Sequence, residues 1–344
     1  MDTLQTAEPR RISTGWRSPG RLLVILALIL IFSVAVSICL GSAPSSIAEV
    51  WHAIFQPSGS TMDVTITQIR MPRTASGIIV GACLGVAGMV IQGHSRNPIA
   101  DPGLLGINQG AALAIVAVTA FSGPLGYLPQ ALLAFAGAFL ASVLVFLIGS
   151  ASRNGATSVT LVLAGAAVTA VCGGIVSAIA LLNEDSLETL RFWQVGSLAG
   201  RHDILGYLWP FILAGLLLAL FNASALNGLA LGEDSARSLG ISVAGARTVG
   251  ILAVTLLAGS AVTMAGPIAF AGLLVPHLAR FLAGSDYRWL MPTAALCGAA
   301  ILLLADTAGQ VIARPGELSA GVVLAVIGAP FFVILARRRR LMKL

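Results

Sequence analysis

The sequence predicts an all-α, polytopic membrane protein with about ten transmembrane helices. Hydrophobic residues make up 57% of the 344 residues and charged residues only 10%, and the mean hydropathy is +0.93. Soluble domains carry about 25% charged residues, because a globule in water needs charge outside and cannot bury this much apolar surface. A soluble enzyme, a nucleic-acid-binding protein and a disordered protein are therefore disfavoured.

Ten apolar segments account for the predicted spans, since a membrane-spanning helix needs about 20 mostly apolar residues. They lie, in chain order, at 22–40, 74–92, 104–121, 129–150, 157–182, 204–222, 246–265, 267–283, 289–310 and 318–336. The first is longer than the apolar core of a signal peptide, about 7–15 residues, so we expect it to be retained. Pro267 separates the seventh and eighth spans because proline does not continue a helix interior.

The basic residues predict the orientation of these spans, because Lys and Arg concentrate in short loops on the cytoplasmic side. With the N-terminus inside and ten spans, 15 of the 20 basic residues fall inside. The outside ones are Arg70, Arg73, Arg191, Arg201 and Arg314. We expect an inner-membrane protein with a cytoplasmic tail at 1–21, a transmembrane domain at 22–336 and a basic cytoplasmic tail at 337–344. The net charge of +6 then reflects orientation in the bilayer, and no nucleic-acid partner is expected.

The scarcity of lysine and the scattered positions of the cysteines and histidines exclude several kinds of chemistry. Its one lysine is Lys343, whereas a phosphate-binding P-loop needs a lysine after its glycines. If ATP drives this protein, another chain must hydrolyse it. The cysteines are isolated in apolar runs and the histidines form no paired motif, so no metal site and no cofactor is expected.

The segment between the second and third spans, QGHSRNPIADPGLLGINQ at 92–109, is polar and irregular. Two prolines prevent a continuous helix, and such backbone is tolerated at membrane depth where it lines a cavity or is buried in protein. The segment is either an ordinary cytoplasmic loop or a loop that shapes the inner end of a pathway. The residues that would form such a gate are Gln92, Asn97, Pro98, Asp101, Pro102, Gly103 and Asn108.

Arg70 and Arg73 stand at the outer end of the second span and share one helix face, three residues apart. Arginines on the outer side are unusual, because basic residues concentrate on the cytoplasmic side. Their presence here therefore indicates a specific role. Their guanidinium groups either snorkel to lipid headgroups or bind carboxylates of an extracytoplasmic partner.

The cytoplasmic segment LALGEDSARSLGISV at 229–243 predicts short amphipathic helices. Glu233 and Asp234 suit the first turn of a helix, and Gly240 is placed to end it. Ala236 and Leu239 offer a small apolar face beside Arg237. The segment either docks a separate ATP-driven motor or lies on lipid.

Further charges stand near span ends rather than across the bilayer. His277 and Arg280 follow Pro276 near the cytoplasmic side, and Asp306 lies about one turn from the outer end of the ninth span. A proton relay would need such groups at successive depths. We therefore expect capping or helix pairing from them.

Together these motifs resemble the iron-siderophore and cobalamin permease family (FecCD type), the membrane subunits of type II ABC importers. The resemblance covers nearly all of the chain beyond the first span. The matching strings are RMPR at 70–73, GxxLGVAGMVIQGHSRNPIADPGLLGINQGAAL at 81–113, FWQVGSL at 192–198, LNGLALGEDSARSLG at 226–240, GPIAFAGLLVPHLARFLAGSDYR at 266–288, AD at 305–306 and GELSAGVVLAVIGAPFF at 316–332.

The resemblance implies two inverted five-helix halves and a second permease subunit enclosing one pathway. It implies two ABC ATPase subunits docked on a coupling segment at 226–245, and an extracytoplasmic substrate-binding protein whose acidic residues bind Arg70 and Arg73. The cargo would be an iron chelate, a ferric siderophore ahead of haem and cobalamin. The coupling residues would be Leu231, Gly232, Glu233, Ala236, Arg237, Leu239 and Gly240.

The chain departs from the family pattern at the outer end of the ninth span. Gln310 stands where members often carry an arginine, with Arg314 four residues on, and Ser319 replaces a proline after Glu317. Either Arg314 takes over the contact or this subunit grips its binding protein less strongly, which favours a heterodimer over a homodimer. The expected docking residues are Arg70, Arg73, Gln310, Arg314 and Glu317. From other classes, an ion-coupled secondary transporter and an intramembrane enzyme using Asp306 or His277 remain alternatives.

Overall fold

The computed structural model describes residues 18–151, 157–200 and 204–337. Several basic positions used to predict the orientation lie outside the described residues. They are the C-terminal basic tail after Arg337, nearly all of the N-terminal tail, Arg153 and Arg201.

Helices joined by short segments make up the described chain. Their bounds are α1 Pro19–Cys39, α2 Ile47–Phe55, α3 Thr61–Val64, α4 Met71–Ser95, α5 Ile107–Ser122, α6 Tyr127–Ser150, α7 Ser158–Leu182, α8 Glu184–Gln194, α9 Leu205–Ala230, α10 Glu233–Ser238, α11 Val243–Ala265, α12 Ala271–Ala283, α13 Tyr287–Ile312 and α14 Ala320–Arg337. A π-helical turn, Thr65–Arg70, joins α3 to α4, and a 3₁₀ turn, Pro102–Leu105, precedes α5.

The predicted all-helical membrane fold is confirmed. Among the described residues, seven helices are long and apolar enough to cross a membrane: α1, the continuous α3–α4 rod, α6, α7, α9, α11 and α13. Three shorter apolar helices, α5, α12 and α14, coincide with the remaining predicted segments. Each of the ten apolar segments is thus one helix.

Two features differ from the sequence-based boundaries. The helical rod of the second span begins at Thr61, some three turns before the apolar run, so Arg70 and Arg73 lie within it. Helices α2 and α8 were not predicted, because each is short and α8 is polar overall. Neither could produce the long apolar run by which a span is recognised.

The order of the helices repeats once along the chain. In each set of five spans, the second helix is the most deeply enclosed. In both α4 and α11, 78% of the residues in an apolar stretch of 18 are buried inside the protein. Each is followed by an irregular segment and then by a helix too short to cross a hydrocarbon core of about 30 Å, α5 or α12. This order agrees with two related five-helix halves.

Helix α4 packs against α13 through glycines. A Cβ atom on Gly81 would overlap the backbone carbonyl of Gly298, and one on Gly298 would overlap that of Gly81. Small residues at both positions let the two backbones approach closely, which is how membrane helices pack without a hydrophobic driving force. The contact fixes the position of α4, which carries Arg73 near one end and Gln92 near the other.

The bundle has two ends, which we name by one residue each. The Arg73 end contains the last turns of α1 and α13, as the contacts of Arg73 and Arg70 show. The Glu233 end contains α10, the end of α4 and the start of α13.

Candidate functional site

At the Arg73 end, four predicted docking or structural residues form one cluster. Arg73 donates from Nε to Oδ2 of Asp306 at 2.8 Å and from Nη2 to Oδ1 at 2.9 Å. Its Nη1 donates to Oε2 of Glu317 at 2.7 Å. Gln310 donates from Nε2 to Oδ2 of Asp306 at 2.8 Å. One guanidinium therefore joins α4, α13 and the loop before α14.

Arg70 lies near this cluster but serves a different part of the chain. Its Nη1 donates to the carbonyl of Ile38 at 2.9 Å and to Ser45 Oγ at 2.8 Å, and its Nη2 donates to the carbonyl of Ala43. The side chain is buried. Arg70 thus clamps the segment that leaves α1, and neither arginine snorkels towards solvent or headgroups.

Beside this cluster, the accessible charges are Arg314 and Glu317. Arg314 donates from Nη2 to the carbonyl of Gly41 at 2.6 Å while remaining exposed. The side chain of Glu317 is 39% exposed, against 6% for Arg73 and 1% for Asp306. A partner reaching this surface first meets Glu317 and Arg314, with Arg73 beneath them.

The irregular segment between α4 and α5, residues 96–106, turns back into the bundle, and we call it the re-entrant segment. Ala100 and Leu105 are buried, and a Cβ on Gly165 of α7 would overlap the carbonyl of Leu104. Gly165 is two turns into α7, roughly 10 Å from its first residue. The segment is therefore not an ordinary surface loop, although its first turn, where Asn97 Oδ1 accepts from the backbone N–H of Ile99, stays near the surface.

Gln92 ties this segment to two spans. Its Nε2 donates to the carbonyl of Ala100 at 3.3 Å, and its Oε1 accepts from Nη1 of Arg280 at 2.6 Å. Gln92 is fully buried, where an unsatisfied amide would be costly. It therefore joins α4, the re-entrant segment and α12.

Four of the predicted gate residues line one small cavity inside the bundle, near the start of α12: Asp101, Pro102, Gly103 and Asn108. Asp101 accepts on Oδ1 from the backbone N–H of Gly103 at 2.8 Å, opening the 3₁₀ turn before α5. A Cβ on Gly272 would press on Pro102, so the 3₁₀ turn before α5 touches the start of α12. Asn108 lies beside Gly103 in the same small cavity. Helix starts inside a transporter create local polarity in an otherwise apolar interior.

His277 does not face this cavity through a hydrogen bond. Its Nδ1 lies 2.8 Å from the carbonyl of Leu273 in its own helix, and its ring meets Phe331 edge-on. Pro276 is buried inside α12. His277 and Asp306 lie towards opposite ends of the bundle, so they do not form one catalytic pair.

At the Glu233 end, α10 forms a small charged knob. Gly232 and Gly240 flank it with φ of 108° and 78°, values that favour glycine. Ala236 is buried against the bundle, whereas Leu231 and Leu239 are exposed. Arg237 contacts Asp234 at 2.8 Å and Glu233 at 3.2 Å on the knob itself.

Glu233 connects this knob to the bundle. Its Oε1 accepts from Nη2 of Arg247 in α11 at 2.8 Å and lies 3.6 Å from Nη2 of Arg96, which follows α4. The side chain of Arg247 is almost buried. One carboxylate therefore faces arginines from three parts of the chain: α10, α11 and the entrance to the re-entrant segment.

The sequence profile of the FecCD transport family matches residues 29–338. The chain belongs to this family. It is 46% identical over 317 residues to the ferric enterobactin transport system permease protein FepD of Escherichia coli (strain K12), covering 91% of this chain and 94% of that protein. It is 41% identical over 329 residues to the iron(3+)-hydroxamate import system permease protein FhuB of Bacillus subtilis (strain 168), covering 94% and 85%.

A solved structure has the same fold as this FecCD chain. It is described as an inward-facing conformation of a metal-chelate type ABC transporter, and it superposes with a TM-score of 0.80 at 27% identity. The match covers 93% of this chain and 100% of that one. The resemblance drawn from the motifs is thereby confirmed.

Some residues of this FecCD chain that complete the two ends were not singled out from the sequence. Arg96 and Arg247 were counted only as inside charges, although the glutamate they share was expected to act in coupling. Asn227 was also missed: its Nδ2 donates to Oδ1 of Asp286 at 2.7 Å and its Oδ1 accepts from the N–H of Tyr287. The backbone N–H of Arg288 and the side-chain amide of Asn227 both donate to Asp286, which caps α13, and these two bonds lower the pKa of its carboxyl. The one available signal was a polar residue near a span end.

A polar contact between spans was missed as well. His94 Nε2 and Asn222 Nδ2 are 2.8 Å apart, and Asn222 also donates to the carbonyl of Ala246. Ser158, at the start of α7, donates to the carbonyl of His94 at 2.9 Å. Helices α4, α7, α9 and α11 are therefore tied together near the knob.

A cleft runs along α8 at the Arg73 end. It has a volume of about 610 Å³ and is lined by Glu184, Leu187, Glu188, Arg191, Phe192 and Val195. The segment after α8 reaches the bundle, because a Cβ on Gly196 would overlap the carbonyl of Pro267. The cleft thus lies beside the break that precedes α12.

Proposed function

We propose that this chain is the membrane-spanning permease subunit of an ATP-driven importer of iron chelates, with a ferric siderophore as cargo. Membership of the FecCD family carries the proposal, because it extends over nearly the whole chain. The relatives FepD and FhuB, named for ferric enterobactin and iron(3+)-hydroxamate, support a siderophore. The absence of any lysine but Lys343 from the sequence supports ATP hydrolysis by a separate ATPase.

The Arg73 end faces the outside of the cell in this proposal, and the Glu233 end faces the cytoplasm with both termini. The distribution of basic residues supports this orientation, because 15 of 20 fall in the inside segments of the sequence when ten spans alternate, and Arg96 and Arg247 of those segments contact Glu233. The position of α10 supports it too, since a coupling knob must face the ATPase.

An extracytoplasmic binding protein docks on the Arg73 end through acidic side chains. Arg314 is exposed for such a contact. Arg73 is reached by displacing Glu317, the more exposed of its two carboxylate partners, while Asp306 stays in place. Docking by exchange of ion pairs is favourable only when partner carboxylates replace the one that leaves, which gives the contact specificity.

Two ABC ATPase subunits dock on the coupling segment, one on each of two permease subunits. Leu231 and Leu239 project from α10 as exposed apolar contacts, and Glu233 links that helix to α11 and to Arg96. A displacement of α10 therefore acts on the entrance to the re-entrant segment. This supplies the differential contacts that ATP-driven switching requires.

The pathway runs past the contact between the 3₁₀ turn that precedes α5 and the start of α12, at Pro102 and Gly272. Helices that start inside the bundle can shift without breaking a full-length span. Small residues and few fixed charges suit a bulky chelate, because a tight site would retain it. Gln92 and Arg280 hold the inner end of this region closed through their hydrogen bond.

The second permease subunit is a related chain rather than an identical copy. Gln310, which replaces the arginine common in the family, is buried and donates to Asp306. It makes no outward contact, so a sister subunit would supply the stronger grip on the binding protein. Co-expression of two differently tagged copies of this chain tests the point: recovery of both tags in one functional transporter would refute the heterodimer.

Reconstitution in vesicles with the neighbouring-gene ATPase, sister permease and binding protein tests the function. We expect uptake of a ferric siderophore only with ATP and the binding protein. Uptake of haem or cobalamin instead would reassign the cargo within the family. Uptake by the chain alone, driven by a proton or sodium gradient, would establish a secondary transporter and overturn the proposal.

Variants of the knob test the ATPase contact. Arg237→Ala with Leu239→Asp should leave the chain in the membrane but uncouple ATP hydrolysis from uptake. The matched control is Ser285→Asp with Arg288→Ala, which makes the same charge change at exposed positions of the same end. Equal uptake by the knob variant and the control would count against docking on α10.

A further inference from the structure

Helix α2 is a well-formed element that the proposed transport mechanism does not use. Ser46 caps it: the Ser46 hydroxyl accepts from the N–H of Glu49 at 3.2 Å, and Glu49 Oε2 accepts from the N–H of Ser46 at 2.7 Å. Such a capping box satisfies two helix-end donors at once. The capping box therefore stabilises the start of this nine-residue helix.

The side chains of α2 divide into three faces. Ala53 is buried against the protein. Ile47, Trp51 and Phe55 form an apolar stripe on successive turns and are 80%, 63% and 60% exposed. The rings of Trp51 and Phe55 stack with centroids 4.2 Å apart.

The third face is polar and exposed, and carries Glu49 and His52. At about 100° per residue, His52 lies about 100° and Glu49 about 160° around the helix from the centre of the stripe, so the polar face points away from the stripe. A helix in contact with protein on one side, lipid on the second and water on the third has this pattern.

The apolar stripe continues a surface that faces lipid. Helix α1 exposes Leu28, Ile31 and Phe32 along one side, as expected of a span at the edge of the bundle. Only residues 40–46 separate α1 from α2, and the two helices are in contact. Arg70 fixes this connection by binding the carbonyls at its start and Ser45 within it. The stripe therefore lies at the membrane level where α1 ends.

We propose that α2 lies in the membrane interface as an anchor, with Ile47, Trp51 and Phe55 at the boundary between headgroups and acyl chains. Tryptophan is enriched at this depth. A partner with acidic docking residues is a poor fit for the stripe, because Ile47, Trp51 and Phe55 offer such residues no positive charge. The bilayer matches it, since the stripe itself carries no charge.

The anchor has a consequence for the Arg73 end. Arg70 grips the segment between α1 and α2, and it lies one turn before Arg73 in the same helical rod. Lipid contact at α2 therefore sets the height of these arginines relative to the membrane surface. This step does not depend on the cargo or on ATP.

Spin labels at Trp51→Cys and His52→Cys test the anchor, in the full chain with its four native cysteines replaced by alanine. The chain is placed in vesicles of phosphatidylethanolamine and phosphatidylglycerol. We expect the label at position 51 to collide more often with oxygen, which partitions into lipid, than with a water-soluble nickel chelate. The label at position 52 should show the reverse, as the matched control on the polar face, where it leaves the Ser46–Glu49 capping box intact.

Each other outcome overturns the proposal. High nickel accessibility at both positions would place α2 in water, open to the binding protein. Low accessibility to both reagents at position 51 would place it under a second copy of the permease or another protein.

A second measurement keeps the native cysteines. The chain and its Trp51→Phe variant are compared in vesicles of lipids brominated along the acyl chain. We expect the variant to lose the part of the fluorescence quenching that Trp51 provides, and identical quenching would refute lipid contact. Neither readout requires transport, so an inactive protein would leave this test intact and would bear only on the proposed function.

Discussion

Arg73 of α4 and Asp306 of α13 form a buried two-point ion pair between residues 233 positions apart in the sequence. The N–O distances are 2.8 and 2.9 Å, and the side chains are 6% and 1% exposed. Parallel N–H···O bonds of this kind combine strength with fixed geometry. The buried cluster around Arg73 is therefore held together by internal ion pairs, and the accessible charges beside it are those of Glu317 and Arg314.

Removing one member of this pair should destabilise the protein strongly. Asp306→Ala leaves a buried guanidinium with its Glu317 contact alone, and we expect a loss of about 3–5 kcal/mol in the free energy of unfolding. Arg73→Met alone and Asp306→Leu alone should each cost about as much, whereas the double variant Arg73→Met with Asp306→Leu should lose much less, because no buried charge remains. Unfolding titrations in mixed detergent and SDS micelles measure both.

Thr307→Ala is the matched control for this cycle. Thr307 is buried one position away and donates only to the carbonyl of Leu303 in its own helix. We expect it to cost about 1 kcal/mol or less. Additive losses in the Arg73 and Asp306 variants would mean that the two side chains are not energetically coupled, contrary to the geometry.

Glu317 should weaken docking of the binding protein, not support it. It occupies Nη1 of Arg73, the donor nearest the surface, at 2.7 Å. Glu317→Gln should raise the affinity for an acidic partner by about two- to fivefold, since exposed ion pairs contribute about 0.2–1 kcal/mol. Surface-plasmon measurements on nanodiscs should show the gain shrinking as salt rises.

Glu188→Gln on α8 controls for the general removal of an exposed negative charge at the same end. Arg314→Ala should change affinity in the opposite direction, because it removes an exposed cation. A loss of affinity in Glu317→Gln would mean that the carboxylate itself contacts the partner, and exchange at Arg73 would then be wrong.

The fold was predictable from the sequence because the bilayer leaves few choices. Every backbone polar group must be satisfied inside the membrane, so each long apolar run is a helix. The short helices α2 and α8 were not predictable in this way, because they lie at the rim of the bundle and contain no long apolar run. Pairings across the bundle also escape prediction: an apolar run fixes the depth of Asp306 but not the rotation of α13 towards Arg73. The prolines at 98 and 102 indicated irregular backbone, but its return into the bundle depends on the packing of Leu104 against Gly165.

Glu233 should control the stability of the knob far more than Arg237 does. Glu233 neutralises the almost buried Arg247 at 2.8 Å and also faces Arg96, whereas Arg237 is 57% exposed and contacts only side chains of α10 among the described residues. Glu233→Ala removes the carboxylate shared by three elements. We expect hydrogen exchange across 231–241 to accelerate tenfold or more, which corresponds to about 1.4 kcal/mol of local opening energy.

Arg237→Ala should change the rate less than about fivefold, because its ion pairs are exposed. Equal acceleration in both variants would mean that α10 is held by its own charges, and that Glu233 does not carry movement from the ATPase side to α11 and the re-entrant segment.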